Sequence, residues 1–350
     1  MKFFSKHGGA LAAASVVAAL ALTACGNATT NATTNASSSS SSGAAKAPLT
    51  ITFIPKNLGN PYFDTSDAGG KKAIEEAGGT YAEVGPQTAS PDGQVQYINT
   101  ATQQKTSALV VSANDPKAIC DALNQARAAG TKVVTFDSDT EKQCRDVFIN
   151  QATADGIAKV EVDTITKEIG DSGEIAILSA SANATNQNAW IDLMKKDLAA
   201  THPNVKLVDV VYGNDDDQTS FDKTAALLQS HPNLKGIISP TTVGIAAAAR
   251  YLSTSTMKGK VFLTGLGTPN QMRQYVKDGT VQEFALWNPA DLGYLAAYAA
   301  KALADGTITG KEGDKFTAGT LGDFTVGADS TVLLGDPFVF NAGNMDSFKF

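Results

Sequence analysis

The chain has 350 residues and a formal net charge of −7, with 43% hydrophobic residues, 18% charged residues and three cysteines. This is the composition of a soluble globular protein with room for two domains of ordinary size. The acidic balance, with no run of bases, argues against a nucleic-acid partner, whose phosphates such a surface repels.

In chain order, the first elements bear on compartment. Lys2 and Lys6 precede an apolar stretch from Ala10 to Ala24, which ends in Leu22-Thr23-Ala24-Cys25-Gly26, the lipobox pattern of bacterial lipoprotein processing. The predicted leader is residues 1–25, with Cys25 carrying the lipid as the first mature residue. A diacylglycerol there buries methylenes worth roughly 0.8 kcal/mol each and tethers an exported protein to the membrane without a spanning helix. An uncleaved anchor fits less well, because the apolar run is shorter than the roughly 18 residues that cross a bilayer. Residues 26–47, made of Asn, Ala, Thr and Ser repeats with almost nothing apolar to bury, read as a disordered tether. Their Asn-Ala-Thr triplets match glycosylation acceptors, but chance repetition in a low-complexity tract explains them better. Loss of the leader moves the charge from −7 to −9.

From Leu49 the chain alternates strands and helices. Leu49–Ile54 is a short β-branched run stopped by Pro55, and Asp67–Glu76 reads as a helix closed by Gly78-Gly79. Further strands are predicted at Tyr81–Val84, Ala108–Ser112 and Lys132–Phe136, with helices at Gly93–Gln104 and Lys117–Ala129. After Asn150 a second series has strands at Ile175–Ser179, Lys206–Val211, Gly236–Ser239, Val261–Thr264 and Gln282–Trp287, with helices at Ala189–Ala199 and Phe221–Gln229. Near-continuous apolar strands with crossover helices imply parallel sheets covered on both faces. The expected fold is α/β, with two doubly wound parallel-sheet lobes joined by a three-segment hinge. The first lobe is assigned 49–149 and 289–320, the second 150–288 and 321–350, with chain crossings near Asn150, Trp287-Asn288 and Asp323.

Ligands of open parallel sheets bind beyond the carboxyl ends of the strands. Those places carry Lys56, Asn60, Tyr62 and Phe63 after the first strand, Asn114 and Asp115 after the third, and Asp137 and Asp139 after the fourth. The second lobe offers Asn186, Gln187 and Asn188, then Pro240 and Thr242, Gly265-Leu-Gly267, and Trp287 and Asn288. Amides, carboxylates and aromatics gathered in this way suit a sugar, because planar polar groups pair with hydroxyls and aromatic faces cover the C–H side. Plainer roles compete at each position. Asp137 and Asp139 could cap turns, Lys56 could be a solvated lysine, Tyr62 and Phe63 could be core aromatics, and Asn186 could cap the following helix. Asp215-Asp216-Asp217 lacks the spacing of a calcium loop and reads as an acidic helix N-terminus.

Cys120 and Cys144 are the pair left after Cys25, and in an exported protein one remaining pair suggests a disulfide. Closing that loop would contribute roughly 3 to 4 kcal/mol in the chain-entropy model. A metal site is disfavoured, since neither cysteine has a C-x-x-C partner or a nearby histidine. Of the three histidines, His7 belongs to the leader, while His202 and His231 each sit in His-Pro-Asn, which leaves a nucleophilic triad without a base. The full Gly-x-Gly-x-x-Gly fingerprint also fails at Asn270. No enzyme is expected and no cofactor. A sugar-responsive repressor would need an N-terminal helix-turn-helix where this chain has a leader and tether. A chemoreceptor ligand module stays open.

Seven strings taken together carry a family resemblance: Ile54-Pro-Lys56 with Tyr62-Phe63; Ser112-Ala-Asn114-Asp115; Thr135-Phe-Asp137-Ser-Asp139; Thr185-Asn-Gln-Asn188 before Trp190; Pro240-Thr-Thr-Val-Gly-Ile-Ala-Ala247; Thr264-Gly-Leu-Gly267; and Phe284-Ala-Leu-Trp-Asn-Pro289. Over about residues 49–300 the chain resembles the type 1 periplasmic binding proteins, in the branch that holds rhamnose-binding proteins of ABC importers and autoinducer-2 receptors. The resemblance implies two lobes closing on a small ligand, delivery to a permease with its ATPase, and action as a monomer. It also implies that Lys56, Asp137, Asn186 with Gln187, and Pro240 with Thr242 contact the ligand. Where the autoinducer-2 receptors carry Asp-Gln, this chain has Asn186-Gln187. An amide donates as well as accepts, so a different hydroxyl pattern is expected, and the surrounding strings look more like the rhamnose branch. The cysteine pair resembles the autoinducer branch, which keeps that ligand as the alternative.

Overall fold

A computed structural model describes residues 48–350. The leader, Cys25 and the 26–47 tether lie outside the described residues.

Short runs of apolar and β-branched residues form the first sheet, and crossover helices cover it. In chain order these are β1 (Thr50–Ile54), α1 (Pro61–Glu76), β2 (Thr80–Glu83), α2 (Pro91–Gln103), β3 (Ala108–Val111), α3 (Cys120–Ala128), β4 (Lys132–Phe136) and β5 (Val147–Asn150). The second series follows as α4 (Ala154–Ile169), β6 (Gly173–Ser179), α5 (Thr185–Thr201), β7 (Val205–Tyr212), α6 (Asp217–Ser230), β8 (Leu234–Ser239), α7 (Thr242–Thr254), β9 (Phe262–Gly265), α8 (Pro269–Lys277) and β10 (Glu283–Leu286). The chain then closes with α9 (Pro289–Asp305), β11 (Lys315–Thr317), β12 (Asp323–Thr325), β13 (Thr331–Leu333) and β14 (Phe338–Asn341).

One sheet runs β2-β1-β3-β4-β5-β13 and the other β7-β6-β8-β9, with every neighbouring pair parallel. The all-apolar β3 is buried throughout, as a strand covered on both faces should be. β10 continues the second sheet through a parallel bridge from Leu266 to Ala285, and β14 pairs antiparallel with β10.

Two sequence expectations shift. The helix expected from Asp67 begins at Pro61, because the Asn60 side chain accepts from the Tyr62 amide and Pro61 fits a first turn that needs no donor there. Tyr62 and Phe63 therefore stand on a helix, not in a loop. The third crossing moves from Asp323 to the segment between Leu333 and Phe338: β13 pairs with β5, and only β14 joins β10. Of the residues assigned from sequence to the second lobe after 320, β13 joins the first sheet, and β12 pairs antiparallel with β11 in a separate ribbon.

α9 anchors the return to the first lobe by packing on α1. The two backbones touch so closely that a Cβ at Gly293 would lie 1.7 Å from the Ser66 carbonyl oxygen. Cys120 and Cys144 lie side by side as a disulfide, with Cα atoms 5.3 Å apart.

Candidate binding site

A cleft lies where the carboxyl ends of the two sheets face each other, the place where ligands of open parallel sheets bind. Nine of the eleven ligand residues expected from the sequence line it: Lys56, Tyr62, Phe63, Asp137, Asn186, Gln187, Pro240, Thr242 and Trp287. The other two lie outside it. Asn114 gives its amide to the carbonyls of Lys56 (2.8 Å) and Ser90 (3.3 Å). Asn288 caps α9, accepting from the Ala290 amide at 3.0 Å and donating to Asp291 at 2.7 Å. Both spend their side chains on neighbouring groups of the fold, since an amide next to unpaired backbone groups can satisfy them.

The first-lobe wall is built around one ion pair. Lys56 follows β1 directly, and its ammonium lies 3.7 Å from Asp137 Oδ2 with both side chains buried. Gln94 fixes the loop beneath, donating to the carbonyls of Pro55 (3.1 Å) and Ser112 (2.7 Å) while accepting from the Asn114 amide (2.9 Å). Asp137 holds a left-handed backbone (φ 60°), a conformation that costs a non-glycine residue energy and persists where surroundings enforce it. Here Ser112 Oγ donates to Asp137 Oδ2 at 2.8 Å, and the Asp137 amide donates to the Ile149 carbonyl at 3.3 Å. Asp139 points elsewhere: Arg145 grips both its oxygens at 2.7 to 3.0 Å and extends to the Asp329 and Ser330 carbonyls. It buttresses the Asp137 turn and is not part of the cleft.

Aromatic rings supply the apolar side. Tyr62 packs edge-on against Phe63 and Trp287, with centroids at 5.1 and 6.1 Å, and Trp190 packs against Trp287 at 6.2 Å. The Tyr62 hydroxyl accepts from Trp287 Nε1 at 2.9 Å. Burial, with the Asp137 charge second, pushes the Tyr62 phenol well above its ordinary pKa, so it stays a neutral hydroxyl.

The second-lobe wall presents the start of α5, the start of α7 and the turn after β7. Gln187 Oε1 accepts from Ser179 Oγ (2.6 Å) and the Ala180 amide (2.8 Å), which leaves its Nε2 to donate. Asn186 is the second residue of α5, not its cap. Its Oδ1 receives Lys56 Nζ at 3.4 Å and its Nδ2 donates to the Asp137 carbonyl at 3.4 Å, so it bridges the two lobes. Gly265 lets β9 approach β8, since a Cβ there would sit 2.0 Å from the Ser239 carbonyl oxygen. That packing role, not nucleotide binding, explains its glycine.

Asn60, noted at the end of the first strand but not assigned to the ligand, also lines the cleft, as do Trp190, Asp215, Thr241, Leu266 and Leu286, which the sequence did not assign to it. The three consecutive aspartates divide. Asp216 caps α6 and Asp217 lies in its first turn, as an acidic helix start predicts, whereas Asp215 turns into the cleft and accepts from Thr241 Oγ1 at 2.5 Å.

Residues 51–308 match the periplasmic binding protein domain family. The chain belongs to that family. This binding protein is 56% identical to a sugar ABC transporter protein from Actinomyces odontolyticus, over 86% of this chain and 98% of that one, with a TM-score of 0.70. It is 40% identical to an ABC transporter solute-binding protein from Clostridium phytofermentas solved with L-rhamnose, covering 86% and 98% of the two chains with a TM-score of 0.83. It is 30% identical to LsrB from Clostridium saccharobutylicum, solved with AI-2, over 86% and 100% with a TM-score of 0.81. The family is one of extracytoplasmic solute-binding proteins and not of enzymes, and its type 1 members share the two-lobed α/β architecture described above.

Proposed function

We propose that this chain is the sugar-binding component of an ABC importer and that its preferred ligand is L-rhamnose. The observation that carries this reading is the cleft's division of labour: a fixed Lys56–Asp137 pair and the amides of Asn186 and Gln187 face a wall formed by Tyr62, Phe63, Trp190 and Trp287. Hydroxyls of a six-carbon deoxysugar suit the polar groups, and its methyl and C–H face suits the rings. The relative with L-rhamnose bound supports the same choice. Because contacts come from both sheets, a ligand favours closure of the lobes over it, and the closed form is the one a permease and its ATPase would receive. The protein acts as a monomer tethered by a lipid on Cys25, as the lipobox motif suggests.

AI-2 is the second reading, supported by the LsrB relative and by the Lys56, Asp137, Gln187 and Pro240 positions. Calorimetric titration of the mature protein with L-rhamnose, D-ribose, D-arabinose and AI-2 tests both. Heat with L-rhamnose at about micromolar affinity, near −8 kcal/mol, is the expected result, and heat with AI-2 alone would replace the first reading by the second. Release of a Cys25→Ala protein into the medium tests the tether.

A further inference from the structure

We infer that Asp215 is a ligand-contacting, specificity-determining residue of the second lobe, and that with Asp137 it makes the cleft accept uncharged sugars while rejecting sugar acids. This rests on the reading of the cleft as a sugar site but does not depend on which sugar fills it.

Asn214 and Asp215 both hold left-handed backbones (φ 57° and 50°), two consecutive strained positions in the turn that leaves β7. The preceding amides tie that turn down, Gly213 donating to the Ser179 carbonyl at 2.8 Å and Asn214 to the Ala180 carbonyl at 2.6 Å. Such strain is retained where geometry serves a purpose. Here it turns Asp215 out of the helix start that takes Asp216 and Asp217 and toward the cleft. Thr241 Oγ1 donates to Oδ1, which fixes the carboxylate plane and leaves Oδ2 to accept from a ligand hydroxyl, a charge-assisted hydrogen bond of the stronger class. Thr241 is free for this because its side chain makes no cap bond to α7.

The charge balance gives the selectivity. Among the described residues lining the cleft, Lys56 is the only cation, and Asp137 already engages it. Asp215 adds a second acid on the opposite wall, its carboxyl pushed up by burial and held down by the same Lys56 charge and by Thr241. A ligand carboxylate would find no unpaired cation and two acids facing it, and like charges brought together in a partly desolvated site repel strongly. A neutral polyol meets acceptors that its hydroxyls match.

The test is calorimetric titration of wild type and of Asp215→Asn with L-rhamnose, D-arabinose, D-ribose and D-galacturonate. Wild type should bind a neutral sugar at least about 100-fold tighter than D-galacturonate, and Asp215→Asn should lose about tenfold or more for the neutral sugar while narrowing that ratio by about tenfold. Thr241→Val, which removes the hydroxyl orienting Asp215, should move both quantities the same way. It keeps the test decisive if the Asp215→Asn protein melts below the assay temperature. Wild-type binding of D-galacturonate within tenfold of the best neutral sugar, or folded variants with unchanged affinities, would overturn the inference and leave the importer reading standing. Binding of D-ribose or D-arabinose but not L-rhamnose would remove the rhamnose reading and leave the inference supported if the ratio holds. Failure to bind any neutral sugar would sink both.

Discussion

The two walls of the cleft are made differently. The first-lobe wall is largely held in place before a ligand arrives: Lys56 and Asp137 are buried and paired, Ser112 fixes Asp137, Asn186 of the other lobe contacts both, and Tyr62 accepts from Trp287. The second-lobe wall is built from helix starts and one turn, with groups such as Gln187 Nε2 and Asp215 Oδ2 still free to bond. One wall sets charge and shape in advance; the other supplies the adjustable hydrogen bonds. Pre-organisation of the first lowers the ordering cost of binding, and the freedom of the second is where relatives with different ligands can diverge.

Substitutions on each side can break that comparison. Asp137→Ala should have the largest effect, weakening ligand binding by about 100-fold or more, because it removes a charged acceptor and strands the buried Lys56 ammonium; Asp137→Asn, which tolerates the left-handed backbone, should bind almost as poorly with a smaller change in melting temperature. Similar affinity for wild type and Asp137→Ala would end the view of the first wall as the charge-setting one. On the second wall Gln187→Ala should weaken binding by about tenfold, the scale of one neutral hydrogen bond, and also cost some stability by leaving Ser179 and the Ala180 amide without their acceptor. A loss as large as that of Asp137→Ala would erase the distinction between the walls. Tyr62→Phe should cost about threefold to tenfold, since it removes the hydroxyl that accepts from the Trp287 indole N–H and that interacts with Asp137.

The lobes behind the walls can be compared by pH. Glu168 on α4 has its carboxyl pushed up to about 8, first by burial and then by the charge of Glu283. A carboxyl whose folded pKa is raised binds more protons folded than unfolded, so stability falls as pH rises from its ordinary range through about 8. Glu168→Gln should therefore match wild type in melting temperature near pH 5 and exceed it progressively toward pH 8. Parallel melting curves at every pH would show that the carboxyl ionises freely.

Much of this was legible in advance, unevenly. Strands of four or more apolar residues announced themselves, because a strand covered on both faces has no room for polar alternation; β4 falls where the pattern put it. The third crossing was not legible, since β11, β12 and β13 have three residues each and so short a run has no readable period. Cleft residues that follow strands were picked out by their position and by the family resemblance. Asp215 was missed because three identical acids in a row carry no signal for which one the backbone turns aside, and Asn114 and Asn288 lie outside the cleft lining because amides serve neighbouring backbone groups as readily as ligands.

The chain has two tryptophans, Trp190 and Trp287, and both line the cleft. Nothing else in the protein contributes indole emission, so fluorescence excited beyond the absorption of the eight tyrosines reports on the cleft alone. A titration followed at the red edge of the spectrum would read filling of the cleft in unlabelled protein, and Trp190→Phe or Trp287→Phe would tell which ring carries the signal.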